Sequence, residues 1–131
     1  MADTKLDIEF QTGRREYWAV RFAPGETVAG TVHVLTDQSV KCRHLHVRLG
    51  WHTEGRGGRD AKTVAEVDLY QGQIEPNMPL SRPFQLELPE SPWSYAGHYV
   101  SILWDVTAQI DVPWARDVTA SVPIVLAPAP R

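Results

Sequence analysis

Cysteine is nearly absent: Cys42 is the only one in 131 residues, so no disulfide can close within the chain. A domain of this size must then hold together by burying apolar surface, and the reducing cytoplasm is the expected setting. Long apolar runs are missing too. None approaches the roughly 18 residues of a spanning helix, so no integral membrane segment is expected. The opening, MADTKLDIEF, carries neither the basic start nor the apolar block of a signal peptide. Charge of one sign is also lacking. The net charge is −3, with acids and bases interleaved. That excludes the basic excess of a nucleic-acid binder and the polybasic helix of a surface anchor. Finally, no stretch shows the apolar stripe of a helix.

What the chain does have is period-two alternation, the mark of half-buried strands. Leu6, Ile8 and Phe10 alternate with acids in KLDIEFQ. Gly13 to Glu16 reads as a turn and Tyr17 to Phe22 as a second strand. Pro24-Gly25 punctuates the chain, with Pro fixing one turn position and Gly accepting positive φ at the next. The following strand puts Val28, Gly30, Val32 and Val34 on one face, and Gly30 there predicts a bulge or a close approach of backbone. In VKCRHLHVRLGW, Leu45, Val47, Leu49 and Trp51 form the apolar row, with Cys42, His44, His46 and Arg48 opposite. His52 to Lys62, with three glycines, reads as a mobile loop. TVAEVDLYQ and PFQLELP are strands joined through Pro76 and Pro79. A long strand follows ESPWSYAG, with Val100, Ile102, Trp104, Val106, Ala108 and Ile110 on one face. The last strand runs from about Val118 to Leu126, and Pro123 predicts an edge position. About eight strands with frequent turns predict an all-β sandwich or barrel. One domain over 1–131 is expected, ordered over about 5–126 with a loose tail at 127–131.

Two separated stretches then carry a resemblance. FAPGETVAGTVHV, Phe22 to Val34, and PFQLELPESPWSYAGHYVSILWDVTAQIDVP, Pro83 to Pro113, are similar in content and order to the signatures of the arrestin-like family. That family includes two-lobed signalling arrestins, a retromer subunit and bacterial sporulation-control proteins. The resemblance implies an antiparallel, immunoglobulin-like β-sandwich of the arrestin type. It also implies a non-enzymatic module that binds protein partners through sheet edges, loops or a sheet face. Only one lobe is present, so the interlobe switch of signalling arrestins has no place within these residues. Beside the resemblance, the residues themselves assign Glu26 as an acceptor for backbone N–H groups at its turn. They assign Tyr95 as an aromatic at the Pro92–Gly97 corner whose hydroxyl finds a backbone partner.

Three clusters are candidates for chemistry. Cys42, His44 and His46 would project from one strand face with neighbours about 6.6 Å apart, a spacing at which zinc or copper could be held. His33, His52 or His98 would have to supply a fourth ligand. The plainer reading is a polar outer face with no cofactor. Trp93, Tyr95 and Trp114 lie in proline-flanked loops and are candidate recognition aromatics, for protein or, as a further alternative, carbohydrate. Their plainer role is to cap a sandwich end. Glu54, Arg56 and Arg59 sit in the glycine-rich loop, which serves either as a recognition loop or as a solvated hairpin. No nucleophile-elbow pattern surrounds Ser94 or Ser101, so no catalytic residue is assigned. Asp105, Asp111, Arg116 and Asp117 read as an ion-paired strand exit. Edge pairing between copies is expected, if anywhere, near Pro123 or along Lys5 to Gln11.

Overall fold

The computed structural model of the chain describes residues 3–57, 59–113 and 115–128. Within them the chain forms ten strands, the longer ones from alternating apolar residues: β1 (Thr4–Phe10), β2 (Arg14–Arg15), β3 (Val20–Phe22), β4 (Thr27–Thr36), β5 (Val40–Gly55), β6 (Ala61–Ile74), β7 (Leu80–Glu87), β8 (Tyr95–Ala96), β9 (Val100–Asp111) and β10 (Val118–Leu126). β2 and β8 are two residues each and account for the two strands beyond the expected eight. The strands form a three-stranded sheet, β1-β4-β7, and a larger one, β2-β3-β10-β9-β5-β6, with β8 paired to β9. This is a sandwich, and all its ladders but one are antiparallel. The exception is β10 on β3, which run parallel over Ile124–Leu126.

Alternation fills the space between the sheets. Val28, Val32 and Val34 of β4 and Phe84 and Leu86 of β7 face Leu45, Val47 and Leu49 of β5, Trp104, Val106, Ala108 and Ile110 of β9, and Ile124 and Leu126 of β10. Nearly all of these are completely buried. Gly30 sits in the inward row between Phe10 and Phe84, its partners on the two neighbouring strands. The expected close approach is there: a Cβ on Gly30 would lie 2.3 Å from the Glu9 carbonyl oxygen and 2.9 Å from Phe84 Cζ. The Pro24-Gly25 turn is tied as expected, since the Ala23 N–H donates to Glu26 Oε1 at 3.1 Å.

Several expectations need correction. The second strand starts only at Val20, because Tyr17 and Trp18 swing out into solvent and Ala19 begins the burial. The stretch 52–62 is mostly ladder: β5 runs to Gly55 and β6 resumes at Ala61. There, Thr53 and Asp60 exchange hydrogen bonds across a short hairpin end. Trp51 is only partly buried, packed against the rim of the core rather than within it. Pro123 is at an edge in a restricted sense. β10 has β9 on one side throughout Val118–Ile124, but gains β3 on the other only from Ile124, so the proline occupies the last position before that second ladder. β1 is an edge strand of the small sheet. Of the tail, residues 129–131 lie outside the described residues; Ala127 still donates its N–H to Phe22 O at 3.1 Å.

Candidate functional site

The Cys42-x-His44-x-His46 row does not stay on one face. Cys42 pairs with Gly72 of β6 and Leu45 with Tyr70, so β5 spends one residue more than its partner between those pairs. Such a bulge reverses which face the following side chains take. Cys42 therefore points into the core, while His44 and His46 point out with their rings stacked at 5.2 Å. Burial pushes the Cys42 thiol up to about 11, and the Asp68 and Asp111 carboxylates add to the effect. A neutral, inward thiol is a poor metal ligand. Of the further ligand candidates, His33 is on the other sheet, bonded to Ser81 and Glu9. His52 is further along β5, and His98 is packed against Tyr99 at the corner. No group of three or more metal-ligating side chains comes together among the described residues.

The outward histidines are instead each matched to carboxylates. His44 Nδ1 lies 2.7 Å from Asp68 Oδ2, and His46 Nδ1 lies 3.1 Å from Glu66 Oε1. The Gln71 amide and His44 together hold the Asp68 carboxyl below its ordinary range, against a smaller opposing effect of burial. The inward placement of Cys42 has a simple consequence for labelling. At pH 8 a thiol held at about 11 is thiolate to only about one part in a thousand, and its sulfur is also shielded. Folded protein should react with Ellman's reagent to less than about a tenth of the extent reached in the same minutes in concentrated urea. Rapid, complete labelling of the folded chain would place Cys42 outside.

Of the other candidates, those among the described residues fall on the end of the larger sheet where β8 joins β9. The corner from Glu90 to Gly97 is tied, but not by the Tyr95 hydroxyl. Trp93 Nε1 donates to Glu90 O at 2.9 Å and Trp104 Nε1 to Pro92 O at 2.8 Å. Ser94 links to the end of β10 twice, donating its N–H to Leu126 O at 2.8 Å and accepting the Leu126 N–H on its Oγ at 2.9 Å. Ser94 is thereby a structural clamp. Tyr95 is left 57% exposed. Arg56 lies over the Tyr99 ring at 5.9 Å, and its N–H is bonded to Tyr99 O. Arg59 flanks a small depression with Thr53, Glu54 and Gly55. Among the described residues Asp117 has no ion-pair partner; it accepts from Gln109 and from the Val112 N–H. Trp114 lies outside the described residues.

Two of the sequence candidates, Tyr95 and Glu54, do meet, in a groove of about 530 Å³. The register places it on the outer face of the larger sheet. Leu103 is paired with His52, and Asp105 with both Gly50 and Pro123, all on the face opposite Trp104. Leu103, Pro123 and Val125 supply an apolar floor, with Trp18 and Tyr95 also lining the groove. Glu16 and Arg21, paired at 2.9 Å, sit on the β3 side. On the β5 side, His52 stands between Glu54, at 3.4 Å, and Asp105, at 3.6 Å. A polar depression of about 280 Å³, lined by Gly50, Arg48 and Lys62 among others, adjoins it and shares His52 and Asp105.

Trp18, Leu103, Pro123 and Val125 were not legible as a site from the inward rows alone. The usable signal was the opposite parity: Leu103 and Val125 are large apolar residues two positions from Asp105 and Pro123, on the outward faces of their strands. Trp93, though exposed, does not line the groove.

No family model matches the sequence, and no curated protein matches it. Among solved structures, the chain is similar to the crystal structure of the sporulation control protein Spo0M from Bacillus subtilis. The TM-score is 0.73 at 21% identity, over 94% of this chain and 49% of that one. The chain thus spans about half the length of the protein it matches. With that match, the strand order and the two signature stretches converge on one conclusion: the chain has the arrestin-like β-sandwich fold.

Proposed function

We propose that this chain is a non-enzymatic protein-interaction module that receives an extended segment of a partner protein in the groove floored by Leu103, Pro123 and Val125. The observation that carries the reading is the groove itself. Trp18, 61% exposed, and Tyr95 offer large aromatic surfaces beside an apolar floor on a sheet face that is otherwise polar. Aromatics grouped around an apolar depression are the usual anchors of protein interfaces, where a few such side chains carry most of the binding energy. The structural neighbour is a sporulation control protein, and a control role supports a module acting by binding. Fold alone is a weak guide, so the reading rests on the site.

The test is a comparison rather than a capture. Trp18→Ala combined with Leu103→Ser removes anchor and floor, and Trp18 is exposed enough that the melting temperature should move by no more than about 3–5 °C. Partners retained by the wild-type chain should be lost by this variant, at least tenfold by quantitative mass spectrometry of matched pull-downs. Retention unchanged in a variant that remains folded would remove the groove from the interface.

A further inference from the structure

Resting on the groove reading, we infer that the segment it receives carries an aromatic or aliphatic side chain with an arginine or lysine two positions away. The groove's charges are unevenly matched. Glu16 already has Arg21 as its partner. At the opposite side, Glu54 and Asp105 converge on the His52 ring, and among the described residues no lysine or arginine lies within ion-pairing distance of either. That side presents two carboxylates, with one His52 ring between them, next to an apolar floor. An acidic ligand would be repelled there, and a purely apolar one would partly desolvate two carboxylates that share one His52 ring, with only the Thr107 hydroxyl added at Asp105.

The spacing follows from the sheet. Asp105 is two residues beyond Leu103 on β9 and faces the same side, about 6.7 Å away. An extended peptide repeats its side chains at the same interval, so an apolar residue seated on Leu103 puts the side chain two positions on beside Asp105. Arginine suits that position best, since its planar fork can take both oxygens of the Asp105 carboxylate. Arg48 and Lys62 line the adjoining depression and bound the cation's place: beyond Asp105 the surface turns positive.

A phage library of random heptapeptides, selected on the intact chain, tests this. Enriched sequences should hold an aromatic or aliphatic residue two positions from arginine or lysine. A synthetic heptapeptide of that type should bind wild type at least tenfold more tightly than it binds the Glu54→Gln/Asp105→Asn variant. The margin should shrink as salt rises from 50 to 500 mM. Peptides that depend on Trp18 and Leu103 yet bind the charge variant equally well would overturn the cation requirement and leave the groove standing. A selection in which no peptide depends on Trp18 or Leu103 would overturn both.

Discussion

Trp104→Ala should lower the stability of the chain by about 3–5 kcal/mol, a loss of roughly 10–20 °C in melting temperature. Trp104 is the largest fully buried side chain, 1% exposed at the centre of β9. Its removal takes away apolar burial and leaves a void that the flanking ladders to β5 and β10 hold open. A second loss comes with it, because the indole N–H that anchors Pro92 O at 2.8 Å disappears. Trp104→Phe separates the two effects. Most of the ring volume stays and the anchor goes, so about 1–2 kcal/mol should be lost. Hydrogen exchange should then rise first at Ser94 and Tyr95, which the corner holds in place beside the groove. Urea melts with exchange by mass spectrometry decide it. If the alanine variant loses less than about 1 kcal/mol, Trp104 is not the keystone of this end of the sandwich.

The same residue shows why the core was legible and the groove was not. Trp104 opens a row that alternates without a break to Ile110, and alternation over that length fixes a face whatever the partners are. The Pro24-Gly25 turn was legible for a similar reason, since its geometry is decided locally by the residues that make it. Cys42 failed the same logic. The extra residue that β5 inserts before Leu45 is set by pairing with β6, and nothing local in VKCRHLH announces it. Counting by twos from Leu45 therefore put the thiol on the wrong side. Tyr95 and Glu54 were drawn from loops that look unrelated in sequence; only the pairing of β8 with β9 and of β9 with β5 brings them to one groove. Trp18 is the opposite case. Its neighbours Tyr17 and Ala19 offer no consistent alternation, because the chain leaves the ladder there and re-enters it at Val20.

Gly30→Ala should cost about 3 kcal/mol, the upper end of what overpacking usually does, although the change adds one methyl group. The reason is what that methyl meets. Ordinary overpacking in a core presses on side chains that can turn away, whereas the added Cβ here would lie 2.3 Å from the Glu9 carbonyl oxygen, which is backbone. Relief requires β1 to draw back from β4, and the ladder from Thr4↔Thr36 to Phe10↔Gly30 would loosen with it. The Phe84 ring, 2.9 Å from the same Cβ, is the other obstacle, but a flexible one. A double-mutant cycle distinguishes them. Phe84→Leu alone opens space over Gly30 and should cost about 1–2 kcal/mol through lost burial. Added to Gly30→Ala, it should recover little, because the carbonyl contact survives. Near-additive losses, with β1 amides exchanging early, would identify backbone proximity as the reason this strand carries glycine. A double variant more stable than Gly30→Ala alone would assign the glycine to the phenylalanine ring instead, making Gly30 and Phe84 a packed pair across the ladder of the small sheet.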